Sequence, residues 1–286
     1  MQTKPKTANA ALSITKHIAS ICIHDANCVL HYHWASVSQR RSMNFKDQCV
    51  IVTGASGNLG RAVVHAFAER GAFVALVDRD ATAVDAALAD LGYANDKRFM
   101  PVIGDLLDQA QVSAMVAAIV QRFGGVQVLC NLAGGFRMGE AVHETTDANW
   151  NFLFDINART LLHATRAVVP QMLSQPVDAH GTRGKIVNVG AYAAQRGAAL
   201  MGAYGASKAT VIRMTESMAA ELREQGINVN CVLPTTLDTP QNRADMPTAD
   251  PTRWVAPEAL AEVIVFLASD AARAVHGAAV PVTGLS

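Results

Sequence analysis

The chain has 286 residues, of which 50% are hydrophobic, and its 24 basic residues equal its 24 acidic ones. This length and apolar content suffice for one large core, so we expect a single α/β domain. Because no long run of one charge sign occurs, the sequence argues against nucleic-acid and anionic membrane partners and favours a small molecule.

No uncharged apolar stretch reaches the roughly 18 residues that a membrane-spanning helix needs, so we expect a soluble protein. The chain has five cysteines. Three of them, Cys49, Cys130 and Cys231, lie in apolar, strand-like runs, where a free thiol behaves as a small buried hydrophobe. The odd number of cysteines and the apolar surroundings of these three favour a reducing, cytoplasmic location.

Residues 1–42 differ from the rest of the chain, because no helical or alternating period persists in them and their one acidic residue is Asp25. Their basic residues are Lys4, Lys6, Lys16, Arg40 and Arg41. We predict a disordered extension, a transit sequence for organelle import or an upstream in-frame segment outside a folded domain of residues 43–286. We favour the upstream segment, since Met43 immediately precedes the first predicted strand.

The extension also contains residue types that bind zinc, namely Cys22, His24, Cys28, His31 and His33. Their spacing matches no standard ligand pattern, so we predict no metal site.

From residue 45 onward, short apolar runs alternate with longer amphipathic segments, which is typical of βαβ units in a parallel sheet. The predicted strands are residues 49–53, 73–78, 99–104, 126–132, 185–189, 227–233 and 280–282. The predicted helices are residues 61–70, 112–123, 150–173, 203–224 and 257–269. The sequence therefore predicts a doubly wound parallel sheet of about seven strands with helices on both faces.

A glycine-rich turn joins the first predicted strand to the first helix within residues 49–60. Gly54, Gly57 and Gly60 would let the backbone turn sharply and approach a pyrophosphate, while exposed amides at the helix start supply partial positive charge. Such turns also serve simple strand-to-helix packing. The turn predicts a dinucleotide site if the strand that follows it ends in a residue that can bind the adenosine ribose.

Asp78 gives that support, because it ends the second predicted strand about eighteen residues beyond the turn. An acidic side chain there accepts hydrogen bonds from both adenosine ribose hydroxyls and repels a 2′-phosphate. Arg79 would partly offset the repulsion, and an ordinary solvated loop acid is the alternative interpretation of Asp78. We predict that NAD(H) is favoured over NADP(H).

Tyr204 and Lys208 stand at i and i+4 near the start of a predicted helix and so share one face. A phenol with an ordinary pKa of about 10 is a poor proton donor at neutral pH, and a nearby ammonium should lower that pKa. Such pairs also occur on exposed helices without any function. The pair predicts a general acid, Tyr204, that is tuned by Lys208.

Taken together, residues 45–286 resemble the short-chain dehydrogenase/reductase superfamily. The matching residues are Thr53, Gly54, Gly60, Asp105, residues 131–134, Asn157, Tyr204, Lys208, Pro234 and Thr239. The resemblance implies a Rossmann-type fold and an NAD(P)-dependent oxidoreductase with Asn157, Tyr204 and Lys208 as catalytic residues. Asn157 would help to hold a proton-relay water, and Lys208 would also hold the nicotinamide ribose.

The cofactor-binding residues that we predict from the turn and the resemblance are Thr53, Gly54, Ser56, Gly57, Asn58, Leu59, Gly60, Asp78, Asp105, Leu106, Asn131, Ala133, Gly134, Tyr204, Lys208, Pro234, Leu237 and Thr239. Side chains that would shape the substrate end are Phe136, Met138, Tyr192, Gln195, Met201, Leu237 and Trp254. The resemblance also implies a homodimer or homotetramer that pairs the helices of residues 147–173 and 203–224.

The chain departs from the superfamily pattern at four positions. Asn58 replaces a glycine, Leu132 a second asparagine, and Thr235 the glycine that usually follows Pro234. The largest departure is Ala191, thirteen residues before Tyr204, where the superfamily has a serine that hydrogen-bonds the substrate carbonyl. Losing that donor resembles deleting an oxyanion-hole group, which lowers the rate by about 100-fold or more.

Three functions therefore stay open. The first is a reductase of a small carbonyl substrate. The second follows from residues 233–243, Met246, Pro247 and Trp254, which resemble the quinonoid dihydropteridine reductases, a branch that dispenses with the serine. The third is a nicotinamide-binding redox sensor without catalysis, which Ala191 favours and the intact Tyr204 and Lys208 oppose.

Overall fold

The computed structural model describes residues 43–286, so the predictions for residues 1–42 lie outside it. The strands are β1 (Cys49–Thr53), β2 (Phe73–Asp78), β3 (Phe99–Ile103), β4 (Val128–Asn131), β5 (Gly184–Val189), β6 (Ile227–Pro234) and β7 (Ala279–Val282). All neighbouring strands pair in parallel, in the order β3-β2-β1-β4-β5-β6-β7. The predicted seven-stranded parallel sheet is confirmed.

The helices of residues 43–286 are α1 (Asn58–Ala68), α2 (Ala81–Asp90), α3 (Gln109–Phe123), α4 (Asp147–Phe154), α5 (Thr160–Ser174), α6 (Gly202–Leu222), α7 (Pro240–Asp245) and α8 (Pro257–Ala268). Helices α1, α2 and α8 cover one face of the sheet, and α3, α5 and α6 cover the other. Successive strand residues point to opposite faces, so Val50 and Val52 join one core while Cys49 and Ile51 join the other. This two-sided burial explains the continuous apolar runs in the sequence.

The predicted helix of residues 150–173 is in fact two helices, α4 and α5, joined by a π-helical turn at Asp155–Arg159. A π-turn inserts one extra residue into the helical repeat and is frequent at functional sites. It places Asn157 in a buried position.

Helix α2 was not predicted, because alanines lie on all sides of it and its buried face is limited to Val84, Ala87 and Leu88, which gives a weak periodic signal. The Asp80 side chain caps it by accepting a hydrogen bond from Ala83 N at 3.1 Å. Among the described residues, no helix combines the length and apolarity that crossing a membrane requires.

The strand order reverses between β1 and β4, whose carboxyl ends lie side by side. In open parallel sheets, ligands bind in the crevice outside the carboxyl ends of the strands at such a reversal. The fold therefore predicts that a ligand binds among the loops that follow β1, β2, β3 and β4.

Candidate active site

A cavity of about 540 Å³ opens at this crevice. The predicted cofactor residues that line it are Gly54, Ser56, Gly57, Asn58, Leu59, Gly60, Asp78, Asp105, Leu106, Ala133, Gly134, Leu237 and Thr239. Its volume is within the usual range for small-molecule and cofactor sites. A separate cavity of about 450 Å³ is lined by residues at the amino ends of β1 and β5 and by none of the predicted site residues.

The turn after β1 is held tight by the absence of side chains. Gly54 has a φ of +65°, in the left-handed region. A Cβ atom at Gly60 would lie 2.2 Å from the Gly54 carbonyl oxygen and 2.7 Å from Ala55 Cα. These positions tolerate only glycine without backbone movement.

The start of α1 is suited to an anion. Its N-cap residue is Gly57, and no side chain caps the first amides. Uncapped N–H groups at a helix start carry partial positive charge and bind phosphate. Asn58, which replaces a family glycine, begins the helix and has no left-handed φ, so the backbone needs no glycine there. The turn fits a pyrophosphate.

Asp78 is fixed beside this turn. Its Oδ2 accepts hydrogen bonds from Ser56 N at 3.2 Å and from Ser56 Oγ at 2.6 Å, and its Oδ1 accepts one from Arg79 N at 2.8 Å. A carboxylate has about four lone-pair sites, so accepting capacity remains for a ribose. Both Asp78 and Arg79 line the cavity.

Five predicted cofactor residues do not line the cavity, namely Thr53, Asn131, Pro234, Tyr204 and Lys208. Thr53 Oγ1 accepts hydrogen bonds from Leu132 N and Ala133 N at 3.0 and 3.1 Å and so fastens the loop after β4 to β1. The Asn131 side chain is buried, and its Nδ2 donates to Asn188 Oδ1 at 2.9 Å. Thr53 and Asn131 thus bond to neighbouring strands and loops beside the cavity, and a cofactor role for these residues stays a prediction.

Asn157 joins the loop after β4 to α6. Its Nδ2 donates to the Gly135 carbonyl at 3.0 Å and to Ser207 Oγ at 3.1 Å, while its Oδ1 accepts from Gly135 N at 3.0 Å. Ser207 Oγ in turn donates to the Tyr204 carbonyl at 2.8 Å. Sequence reasoning missed Ser207, which is fully buried and serves as the link between Asn157 and the tyrosine's helix turn.

Gly134 brings two of the predicted catalytic side chains close to the large cavity. A Cβ atom at this position would lie 2.9 Å from Asn157 Oδ1 and 3.1 Å from Lys208 Nζ. Asn157, Lys208 and Tyr204 do not themselves line the cavity, but Gly134 does. The amide of Asn157 and the ammonium of Lys208 therefore flank the backbone at the cavity wall.

Lys208 is buried, and its Nζ donates to the Val189 carbonyl at 2.9 Å. Burial disfavours the charged ammonium and lowers the pKa of Lys208 to about 8. The Tyr204 ring meets the Phe136 ring edge to face, with centroids 4.8 Å apart. Burial raises the pKa of the Tyr204 phenol to about 12.

The expectation that Lys208 lowers the Tyr204 pKa is therefore wrong for this structure. Desolvation of the phenolate is the cause of its raised pKa, and Lys208 contributes no lowering. Tyr204 is consequently a neutral phenol at neutral pH, which is the protonation state that a proton donor needs. Lys208 remains mostly protonated below pH 8.

Ala191 occupies the position of the missing serine. It is 4% exposed, has an extended backbone after β5 and directly precedes the 3-10 turn Tyr192–Ala194. Its methyl group supplies no hydrogen bond to a substrate oxygen. At this position the chain therefore offers no hydroxyl donor to a ligand.

The residues predicted for the substrate end do not all line the same cavity. Leu237 lines the large cavity, and Met138, Met201 and Tyr204 line a small one beside it. Phe136, Met138 and Tyr192 are 56%, 54% and 40% exposed. Gln195 is exposed, and Trp254 lines neither of these two cavities.

Comparison with known proteins gives consistent matches. The family model for short chain dehydrogenases matches residues 48–250. A sorbitol dehydrogenase from Cereibacter sphaeroides is 35% identical over 196 residues, which cover 68% of this chain and 73% of the relative. A 3-oxoacyl-[acyl-carrier-protein] reductase from Thermotoga maritima is 31% identical over 250 residues, covering 85% and 98% respectively.

The solved structures agree. The NADPH-bound structure of a short chain oxidoreductase from Pseudomonas aeruginosa PAO1, described as containing an atypical catalytic center, matches with a TM-score of 0.76 and 28% sequence identity. The match covers 84% of this chain and 97% of that one.

Proposed function

The chain belongs to the short-chain dehydrogenase family, and on this premise we propose that it is a reductase that moves hydride from NADH to a small carbonyl or imine substrate. The observation that carries the proposal is the joint placement of Asn157, Tyr204 and Lys208. Two of them flank Gly134 at the wall of a cavity whose glycine turn fits a dinucleotide. A pure redox sensor has no need of a phenol in this position.

The bound nicotinamide would supply the hydride to the substrate carbon. Tyr204 would hold the proton on its hydroxyl and donate it to the substrate oxygen or nitrogen as the double bond to that atom breaks. Lys208, with its pKa lowered by burial to about 8, can release a proton to the resulting phenolate near neutral pH. Asn157, fixed by Gly135 and Ser207, would orient the water that reconnects this site to solvent.

Cofactor preference gives the first mutational prediction. Asp78→Ala should narrow the gap in kcat/KM between NADH and NADPH by about tenfold or more, because the carboxylate that repels a 2′-phosphate is gone. Steady-state kinetics with both cofactors measure it. Since the substitution also frees Ser56, the Ser56→Ala variant serves as the control that loosens the turn and keeps the carboxylate. A wild-type preference for NADPH would show the assignment to be wrong.

The proposed activity is tested by incubating the purified protein with NADH and a panel of ketones together with quinonoid dihydropterin. We expect NADH oxidation with at least one compound. Tight NADH binding without oxidation by any compound would instead favour the redox sensor.

A second candidate function, quinonoid dihydropteridine reduction, is favoured by Ala191. The buried methyl group leaves one donor, Tyr204, at the reacting atom, and a conjugated quinonoid imine needs less polarisation than a ketone does. The resemblance of residues 233–243 points the same way. A kcat/KM for quinonoid dihydropterin that exceeds every ketone would select this candidate, and the reverse order would select carbonyl reduction.

Assembly remains an inference from the family. We propose a homodimer or homotetramer that pairs the surfaces of α4, α5 and α6. Sizing of the purified protein by light scattering tests this.

A further inference from the structure

A second, much smaller cavity borders the tyrosine that carries the proposed chemistry. Its volume is about 10 Å³, and Tyr204 is among its lining residues. That is close to the space that one water molecule, or one hydroxyl or amino group, requires. The cavity lies between the loop that follows β4 and the segment that leads into α6.

Two hydrogen-bond acceptors, Glu140 and Asn149, line this cavity. Asn149 Nδ2 donates to Glu140 Oε2 at 3.0 Å, which fixes the orientation of the amide. Asn149 Oδ1 is then buried with no hydrogen-bond partner among residues 43–286. A buried acceptor without a donor destabilises the protein and calls for an explanation.

Glu140 adds accepting capacity that is not neutralised. Its Oε2 accepts from Thr146 N at 3.3 Å and from Asn149 Nδ2. Within residues 43–286, no basic side chain forms a salt bridge with it. The nearby Arg137 guanidinium lies 3.6 Å from the centre of the Phe152 ring. Arg137 and Tyr204 also line the cavity, and neither of them hydrogen-bonds Asn149 Oδ1, so this acceptor is the unsatisfied polar atom of the lining.

The backbone beside the cavity is strained. Leu200 has a φ of +61°, which is unfavourable for a bulky side chain. Its carbonyl accepts a hydrogen bond from Gly139 N at 2.9 Å, which ties the two loops together. Strain of this kind persists where the surrounding structure imposes it, and it clusters at ligand sites.

We propose that Glu140 and Asn149 form a substrate-specificity subsite that accepts a hydrogen bond from a hydroxyl or amino group of the substrate. The inference rests on the proposed function and narrows it: the substrate is a carbonyl or imine compound that carries such a donor near the reacting carbon. Met138, Leu200 and Met201 supply apolar walls for its carbon skeleton.

The test compares cyclohexanone with 2-, 3- and 4-hydroxycyclohexanone, using NADH and the wild type, Asn149→Leu and Asn151→Leu. Asn151 is exposed on the same helix and gives a matched control. We expect the wild type and Asn151→Leu to prefer one hydroxylated compound over cyclohexanone by about tenfold or more in kcat/KM. In Asn149→Leu this preference should disappear, while the rate with cyclohexanone changes less than about twofold.

A second variant, Glu140→Gln, keeps the side-chain shape if Asn149→Leu folds poorly, and it should weaken the same preference. Reduction of all four compounds at similar rates by the wild type, or a preference that survives Asn149→Leu, would overturn the subsite and leave the proposed function standing. Failure to oxidise NADH with these four and with every compound of the wider panel would overturn both.

Discussion

The Tyr204→Phe variant is expected to bind NADH as the wild type does and to turn over substrate about 10² to 10⁴ times more slowly. The substitution removes one hydroxyl group and keeps the ring, so the edge-to-face contact with Phe136 survives. The hydroxyl is the donor that the proposed mechanism uses, and Ala191 offers no second one. The loss should therefore be in kcat, with little change in thermal stability.

The matched control is Tyr93→Phe, which removes a hydroxyl that hydrogen-bonds His65 outside the site. Steady-state rates and NADH titrations on both variants separate a chemical effect from a structural one. If Tyr204→Phe retained full turnover, Tyr204 would not be the proton donor and the mechanism would need another group.

The Gly60→Ala variant should lose dinucleotide binding. The new Cβ would lie 2.2 Å from the Gly54 carbonyl oxygen, where backbone rather than a movable side chain must give way. Such overpacking typically destabilises a protein by about 1–3 kcal/mol. Since the displaced atoms belong to the turn that would hold the pyrophosphate, we expect NADH affinity to fall by about tenfold or more.

Gly57→Ala is the appropriate comparison, because its Cβ would meet the Gly54 carbonyl oxygen at 3.5 Å, an ordinary contact. Thermal unfolding and fluorescence titration with NADH should show a much smaller change in this variant. Equal NADH affinity in the two variants would refute the assignment of the turn as the dinucleotide cradle.

The strands could be predicted from the sequence because burial on both faces makes each of them a continuous apolar run. The turn at residues 54–60 could be recognised for a related reason, since only glycine fits a left-handed φ at Gly54 and the close approach at Gly60. Both features are local, so the types of neighbouring residues are enough to identify them.

What the sequence missed depends on partners that are distant in the chain. The π-turn at Asp155–Arg159 leaves the apolar pattern nearly unchanged, so α4 and α5 looked like one helix. Thr53 and Asn131 have polar side chains beside the site, but their direction is set by hydrogen bonds to β4 and β5. Residue type alone does not show which way such a side chain turns.

The pKa values of Tyr204 and Lys208 could likewise not be predicted from residue type and spacing alone. Spacing correctly placed Tyr204 and Lys208 on one helix, α6. It could not reveal that both side chains are desolvated, or that Lys208 Nζ bonds to the Val189 carbonyl. Burial disfavours the charged form of each group, and this effect determines the direction of both pKa shifts.

The pKa of Tyr204 is the quantity that tests the account most directly. It can be read from the ultraviolet difference between the wild type and Tyr204→Phe as pH rises, first without and then with saturating NAD⁺. Without NAD⁺ the pKa should be about 12. With NAD⁺ we predict a clear fall, because positive charge near the phenol favours phenolate. An unchanged pKa at saturation would contradict a role for Tyr204 as the proton carrier beside the nicotinamide.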